Sequence, residues 1–336
     1  MKPAIVLTCF LLTLAGCSFD DALAPDGMVD EEELVEPEPN LDVSLDDKLL
    51  ASWDSEGYTR WPIAEILAQS CEIAYDPELE AGRQFKDLGF DRVRLISDKS
   101  MVGYLVFRGE NCVIVFRGTD DKKDWLANLN VQATQTEDGE VHQGFHTAYQ
   151  GLRSQIVTIL EEEQPNRIWI TGHSLGGALA LLCANDLLKD PNRNIAGLVT
   201  MGQPSVVRGS FATNLDDKLL GRYARYVHAS DVVARIPPNY QHIGSLVWFS
   251  PDGIKRSRPK RPVYGAVSAG GENDDFAEPE PLTFAQFEDL QAELNTEDSP
   301  ETTPDGVPVV KGNSPFIRDH GMEYYLMEIQ SLLTNP

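Results

Sequence analysis

The fold of this chain is decided by the stretch Ile168-Trp169-Ile170-Thr171-Gly172-His173-Ser174-Leu175-Gly176-Gly177-Ala178-Leu179-Ala180. Its first residues are apolar and β-branched, as in a buried strand, and residues 178–188 repeat apolar side chains at the spacing of a helix. Glycines flank Ser174 because a sharp turn brings the two backbones too close together for a Cβ atom. The sequence therefore predicts a serine on a tight corner between a strand and a helix.

A Gly-x-Ser-x-Gly corner between a strand and a helix is the nucleophile elbow of α/β-hydrolases. The strained turn lifts the Ser174 hydroxyl above the sheet, and the first N–H groups of the next helix favour a developing negative charge. A glycine-rich turn with an incidental serine is the alternative, but it does not explain the strand and helix on either side. We therefore predict an α/β-hydrolase fold, with a central, mostly parallel sheet flanked by helices.

A nucleophilic serine needs a base and an orienting carboxylate, which in this architecture follow it in the order Asp or Glu, then His. Asp231 comes just after a strand predicted over residues 223–228, where it is well placed to orient an imidazole. Only His242 and His320 follow Asp231 in the chain. His320 lies on a loop before the last helix, whereas His242 starts a strand. We therefore favour His320 as the base and keep His242 as the alternative.

In α/β-hydrolases, the oxyanion of the reaction accepts hydrogen bonds from the amide after the nucleophile and from a second donor, which we expect at the end of an early strand. The strand predicted over residues 111–116 ends in Arg117-Gly118-Thr119-Asp120. This position makes Thr119 a candidate donor.

The amino terminus has the features of a secretory signal. Lys2 precedes an apolar run over residues 4–14, which is shorter than a membrane-spanning helix. The sequence Leu14-Ala15-Gly16-Cys17 resembles the lipobox of bacterial lipoproteins, and a signal with a stray cysteine is the alternative. We expect residues 1–16 to be the signal peptide and lipidated Cys17 to anchor the protein in the bacterial cell envelope, at the outer membrane.

Acidic residues dominate two segments of the chain. The formal charge is −25, with 28 Lys and Arg against 53 Asp and Glu, which argues against a nucleic-acid partner and against adsorption to anionic lipid. Residues 20–47 hold 12 acidic residues and no Lys or Arg. We therefore predict a disordered tether over residues 17–50, followed by a hydrolase domain over residues 51–336.

The second acidic segment interrupts the hydrolase domain. Residues 265–310 hold 12 acids and no base, and we predict an insertion at about 266–311. Inside it, Thr283 and Gln286 have the form of a capping box, and apolar residues follow on one face. We expect a short amphipathic helix within an otherwise loose segment.

The remaining cysteines and histidines do not suggest a metal site or a disulfide framework. Cys71, Cys112 and Cys183 lie in apolar segments and should be buried thiols, with one disulfide among them as the alternative. His142 and His146 are four residues apart but lack a third ligand.

Five motifs in this order resemble the class 3 lipase family, the fungal-type triacylglycerol lipases: Val115-Phe116-Arg117-Gly118-Thr119, Gly172-His173-Ser174-Leu175-Gly176-Gly177-Ala178, Met201-Gly202-Gln203-Pro204, residues 231–238, and Asp319-His320 with Tyr324. The resemblance covers residues 53–333 apart from the insertion. It implies Ser174 as nucleophile, Asp231 as the orienting acid and His320 as the base. Thr119 and the Leu175 amide would form the oxyanion hole. Ala234, Arg235 and the insertion depart from the family pattern.

This resemblance implies a serine hydrolase that cleaves acylglycerol esters through an acyl-enzyme, with no cofactor and no metal. Two other hypotheses remain open. One is a related phospholipase A or short-chain carboxylesterase, and the other is a non-catalytic envelope lipoprotein. The oligomeric state is not predicted.

In the family, the element after the oxyanion strand covers the site as a lid. Here residues 120–129 carry Trp125 and Leu126 among charged side chains. An amphipathic lid that opens at a lipid surface is one interpretation. Packing of Trp125 in the core beneath a loop is the other.

Overall fold

The computed structural model describes residues 44–51, 53, 61–257, 278–296 and 318–334. The predicted signal peptide, Cys17 and most of the predicted tether lie outside these residues. The parts of the predicted insertion before residue 278 and after residue 296 also lie outside the described residues.

The described strands are β1 (Arg92–Asp98), β2 (Met101–Arg108), β3 (Asn111–Phe116), β4 (Ala133–Gln135), β5 (Glu140–His142), β6 (Arg167–His173), β7 (Ile195–Met201), β8 (Tyr223–His228), β9 (Ser245–Ser250) and β10 (Gly253–Ser257). Eight of them form one sheet with the order β1-β2-β3-β6-β7-β8-β9-β10. Strands β3, β6, β7, β8 and β9 are parallel, and β1, β2 and β10 pair antiparallel at the two edges. Strands β4 and β5 form a separate hairpin.

The described helices are α1 (Leu45–Leu50), α2 (Trp61–Ile73), α3 (Glu78–Asp87), α4 (Lys122–Asn128), α5 (Gln143–Glu163), α6 (Leu175–Leu187), α7 (Gly209–Lys218), α8 (Phe284–Thr296) and α9 (Met322–Thr334). A 3-10 turn spans Val233–Arg235. These helices cover both faces of the sheet. The predicted α/β-hydrolase architecture is confirmed.

The two faces of the sheet carry two separate apolar layers, as strand β3 shows. Cys112, Ile114 and Phe116 pack with residues of α4, α5, α6, α7 and α8. Val113 and Val115 pack with residues of α1, α2, α3 and α9. This alternation is the two-residue period of a strand that is buried on both faces.

The sequence of residues 85–96 predicts a strand, and this prediction is wrong in its first part. Residues Glu78–Asp87 form helix α3, which buries Ala81 and Phe85, four residues apart, and exposes most of its charged side chains. The helix is followed by Gly89 at φ 107°, and β1 begins at Arg92. The helical spacing of the two apolar residues therefore decides the conformation.

The edge of the sheet also differs from the prediction. The sequence predicts an edge strand over residues 241–249, but β9 begins at Ser245 and lies between β8 and β10. Strand β10 forms the edge of the sheet. The basic residues Lys255, Arg256, Arg258, Lys260 and Arg261 predict a solvated hairpin, and the described part of this run, Lys255 and Arg256, lies on β10 in its hairpin with β9.

The predicted boundary between tether and domain at residue 50 is wrong. Helix α1 lies within the segment expected to be disordered, and its Leu49 is fully buried. Asp46 pairs with Arg108 on β2 at 2.9 Å. The ordered domain therefore includes residues 44–51.

The predicted helix within the insertion is confirmed as α8. The Thr283 N–H donates to Gln286 Oε1 at 3.0 Å, and the Gln286 N–H donates to Thr283 Oγ1 at 3.3 Å, which is the reciprocal capping box. Phe287 and Leu294 are buried in the apolar layer of α5 and α6, so this part of the insertion is packed on the domain.

Cys71, Cys112 and Cys183 are buried free thiols, as preferred from the sequence. Burial raises the pKa of the Cys71 thiol to about 12. Within the described ranges, no helix is both long and apolar enough to cross a lipid bilayer.

Candidate active site

Ser174 lies on the corner between β6 and α6, with φ 58° and ψ −131°. A positive φ is costly for a residue with a side chain, by about 1–3 kcal/mol, and such strain persists only where the surroundings enforce it. The Ser174 N–H donates to the carbonyl of Met201 at 3.0 Å, which fixes the corner against β7. A Cβ atom at Gly176 would collide with the carbonyl of Phe116, so the close approach of α6 to β3 requires glycine there.

His320 lies in the turn before α9 and is bonded to Asp231. Its Nδ1 donates to Asp231 Oδ2 at 2.7 Å, and both side chains are fully buried. Because a carboxylate only accepts, Nδ1 carries the proton and Nε2 is the basic nitrogen. The His320 ring stacks on the ring of His173, the residue before Ser174, with centroids 4.5 Å apart. The turn therefore brings the candidate base to the elbow.

The Asp231 carboxylate accepts two further hydrogen bonds. The Val233 N–H donates to Oδ1 at 2.8 Å, and the Tyr325 hydroxyl donates to Oδ2 at 2.5 Å. Tyr325 in turn accepts from the N–H of His228 at 3.1 Å. Burial and the neighbouring Asp231 raise the pKa of Tyr325 well above its usual value, so it remains a donor.

Sequence reasoning missed Tyr325, because the family motif pointed to its neighbour Tyr324. The Tyr324 ring stacks on the His228 ring, with centroids 5.4 Å apart. One position along a helix turns a side chain by about 100°. Only the packing of α9 on the sheet decides which tyrosine reaches the carboxylate.

His173 connects the elbow to the turn that carries the base. Its Nε2 donates to the carbonyl of His320 at 2.9 Å, so its Nδ1 accepts from the Tyr75 hydroxyl at 2.7 Å. Burial, with smaller effects of His320 and Lys122, lowers the pKa of His173 well below its usual value. His173 is therefore neutral and holds the backbone of His320. The sequence offered no signal for the Tyr75 contact.

The candidate oxyanion residues lie on the two elements that meet at Ser174. A Cβ atom at Gly118 would lie 3.0 Å from the Cβ of Ser174, so the loop after β3 runs directly beside the candidate nucleophile. Thr119 follows in this loop, and its hydroxyl is 3.4 Å from the carbonyl of Asp121. Leu175 is the first residue of α6 and is buried.

His242, the alternative base, lies elsewhere. Its Nε2 donates to the carbonyl of Ala234 at 2.7 Å, and burial lowers its pKa to about 3. The Asp231 carboxylate is bonded to His320 instead.

Helix α4 contains both lid candidates. Leu126 is 1% exposed, and the half-buried ring of Trp125 stacks on Phe145 with centroids 6.3 Å apart. Burial lowers the pKa of Lys122, the first residue of α4, and the charges of Glu323 and Asp231 oppose this effect. Helix α4 therefore begins within electrostatic reach of Asp231, and both lid candidates pack against the protein interior.

The reactive atoms are closed off from solvent in this conformation. The Ser174 Oγ and the His320 Nε2 are buried, and neither has a hydrogen-bond partner among the described residues. Catalytic hydrogen bonds often tighten only when substrate binds. The described residues include no group of three His, Cys, Asp or Glu side chains placed to hold a metal ion.

Residues 113–241 match the family model of the class 3 lipases. The matched region contains most of β3, the elbow, Thr119 and Asp231, and His320 lies beyond it.

Individual relatives agree with that match. The chain is 33% identical over 162 residues to a lipase of Rhizomucor miehei, a match that covers 44% of each protein. It is 36% identical over 115 residues to a secreted mono- and diacylglycerol lipase of Malassezia restricta, covering 32% of this chain and 38% of the relative. The chain thus spans less than half the length of these two curated relatives. The solved Rhizomucor miehei triacylglyceride lipase superposes with a TM-score of 0.51 and 25% identity, covering 58% of this chain and 83% of that chain.

Proposed function

We propose that this protein is an acylglycerol lipase, a serine hydrolase that cleaves the carboxylic esters of glycerides. The observation that carries the proposal is the pair His320–Asp231 held at 2.7 Å against an elbow whose Ser174 has a positive φ. The match of residues 113–241 to class 3 lipases supports the substrate class.

In the proposed reaction, His320 Nε2 takes the proton of the Ser174 hydroxyl as Oγ attacks the ester carbonyl carbon. The resulting imidazolium is stabilised by Asp231, which is oriented by Val233 and Tyr325. The oxyanion accepts hydrogen bonds from the Leu175 N–H and from Thr119, and one such donor is worth about 3 kcal/mol of barrier.

His320 then returns its proton to the leaving alcohol, and an acyl-Ser174 ester remains. A water molecule attacks this ester, with His320 again as the base, and releases the fatty acid. The chain's own residues supply each proton transfer in this sequence.

Substrate access requires a movement, because Ser174, Asp231 and His320 are all fully buried. We propose that α4 is a lid that moves aside at a lipid surface. Trp125 and Leu126 would then leave the protein interior and contact lipid.

The test is hydrolysis of a panel of emulsified glycerides, phospholipid vesicles and a dissolved short-chain ester, with Ser174→Ala as the control. We expect the glycerides to be cleaved best by the wild type and not above background by Ser174→Ala. Preferred cleavage of phospholipid or of the dissolved ester would reassign the enzyme as a phospholipase A or carboxylesterase. No cleavage of any substrate by the wild type would contradict the proposal.

We further propose that the protein is a bacterial lipoprotein, anchored in the cell envelope at the outer membrane through lipidated Cys17. The sequence Leu14-Ala15-Gly16-Cys17 after an apolar segment supports the lipid anchor. Ser18 after the cysteine, in place of Asp, resembles the pattern of lipoproteins that are sent to the outer membrane.

A further inference from the structure

Helix α8 of the acidic insertion binds the carboxyl end of α4 through one side chain. Gln291 Nε2 lies 3.1 Å from the carbonyl of Leu126, 3.3 Å from that of Ala127 and 2.8 Å from that of Leu129. The last carbonyls of a helix lack partners within it. Gln291 therefore supplies from a distant part of the chain the donors that the end of α4 needs.

Apolar contacts strengthen the same attachment. Phe287 and Leu294 of α8 are 3% and 2% exposed, and they belong to the same buried cluster as Leu126 and Leu129. Half-buried Leu290 packs against this cluster as well. The inner face of α8 therefore lies against this cluster, and α8 is in contact with α4.

The segment before α8 is fixed close to the catalytic acid. The Leu282 N–H donates to the carbonyl of Arg235 at 2.9 Å, and Arg235 Nε donates to the carbonyl of Glu280 at 2.8 Å. Arg235 ends the 3-10 turn that begins two residues after Asp231. One end of α8 is thus attached to the wall of the site, while its middle holds α4.

Helix α4 is too short to be stable without such support. It has seven residues, and isolated helices need about 12–15 residues even to be marginal in water. Its position therefore depends on its packing partners. Among these, α8 contacts the end of α4 that lies farthest from Thr119.

We propose that α8 is a latch that holds α4 closed over the triad, and that Ser174 becomes accessible when α4 separates from α8. The inference rests on the proposed function, because it describes how the same site is regulated. In a different mode of opening, α4 and α8 would move together as one rigid lid. Weakening the contact between α4 and α8 speeds opening if α8 is a latch, but does not speed it if the two helices move together.

The test replaces Gln291 with glutamate in the full chain. Gln291→Glu keeps the size of the side chain but exchanges the two N–H donors for a carboxylate that faces carbonyl oxygens. The matched control is Ala292→Glu, which adds the same charge one residue later, on the exposed side of α8. Gln291→Ala removes the donors without adding charge and serves if the glutamate variant does not fold.

Two rates are measured in water without lipid: labelling of Ser174 by a fluorophosphonate, and hydrogen–deuterium exchange of the α4 amides. We expect both rates to rise about tenfold in Gln291→Glu, because two net hydrogen bonds are lost, and to stay unchanged in Ala292→Glu. Equal rates in Gln291→Glu, Ala292→Glu and the wild type would overturn the latch.

The two readouts separate the latch from the proposed function. Labelling of Ser174 in the wild type, with α4 exchange unaltered by Gln291→Glu, overturns the latch and leaves the hydrolase standing. Faster α4 exchange in Gln291→Glu, with Ser174 unlabelled in every variant, supports the latch and contradicts the hydrolase.

Discussion

Tyr325 is the third donor around the Asp231 carboxylate, beside His320 and the Val233 amide. A carboxylate that is fully removed from water depends on such donors to remain charged and correctly oriented. The orientation of Asp231 therefore depends on α9, where Tyr325 acts as a positioning residue for the carboxylate.

Removal of the Tyr325 hydroxyl tests this role. We expect Tyr325→Phe to lower kcat about tenfold with little change in KM, because a hydrogen bond to a charged group is lost while the ring stays packed. The control is Tyr324→Phe, whose ring stacks on His228. Steady-state kinetics of the three proteins decide the matter, and equal activity of Tyr325→Phe and the wild type would refute the positioning role.

His242 should make the folding stability depend on pH. Its pKa is lowered from 6.5 to about 3 by burial. Below pH 6.5 the unfolded chain therefore binds a proton that the folded chain does not, and stability falls as the pH falls towards 3. Between pH 7 and pH 5 this single group costs about 2 kcal/mol.

Denaturant unfolding at pH 7 and pH 5 measures that effect. We expect the stability of His242→Gln to fall by about 2 kcal/mol less over this interval than that of the wild type. Parallel losses in the two proteins would show that His242 titrates normally in the folded state.

At the scale of the element, α4 fits both interpretations of residues 120–129, an amphipathic lid and a segment whose Trp125 packs in the core. Its Trp125 and Leu126 contact the protein interior, and its first residue, Lys122, interacts electrostatically with Glu323 and Asp231. A lid is apolar on its inner side when closed, so packing in this conformation and contact with lipid after opening are compatible.

Trp125→Ala distinguishes a lid from a purely structural helix. We expect a larger loss of activity on emulsified glyceride than on a dissolved short-chain ester, because only the emulsion uses the lipid contact of the open state. Asn128→Ala, on the exposed side of the same helix, is the control. Equal losses on both substrates, together with a lower Tm, would indicate that Trp125 serves only the core.

The sequence predicted those elements whose pattern does not depend on neighbours. Strands β3 and β8 have the predicted bounds, because continuous apolar runs mark strands buried on both faces. The edge position of β10 was missed, because strand order is set by pairing and not by any one segment. The capping box predicted α8, but an apolar face does not say which element it covers.

The same limit applies to the candidate site. Chain order and motifs pointed to Ser174, Asp231 and His320, which the structure places around one corner. Tyr75 and Tyr325 reach this corner only through tertiary packing. The contact between α4 and α8 joins segments 162 residues apart and leaves no mark in either.

At the scale of the whole molecule, the charge of −25 opposes adsorption to an anionic surface. The proposed attachment to a membrane therefore depends on Cys17, which lies outside the described residues. Several acyl chains on one cysteine suffice for stable anchoring, whereas a single chain is marginal.

Cys17→Ser, expressed with its signal, should release the protein into the soluble fraction. The wild type should remain with the membranes, because acyl chains are not displaced by salt. Cell fractionation with a salt wash makes the comparison. A Cys17→Ser protein that still pellets with membranes after the wash would contradict the anchor.

The central claim is that Ser174, Asp231 and His320 act as one catalytic unit on glyceride esters. The most direct measurement is the rate of fatty-acid release from emulsified glyceride by Ser174→Ala, Asp231→Asn, His320→Ala and the double variant Ser174→Ala/His320→Ala. The account predicts folded proteins that each lose most of the activity, with the double variant about as slow as Ser174→Ala alone. Near-normal release by His320→Ala, with the loss found in His242→Gln instead, would contradict it.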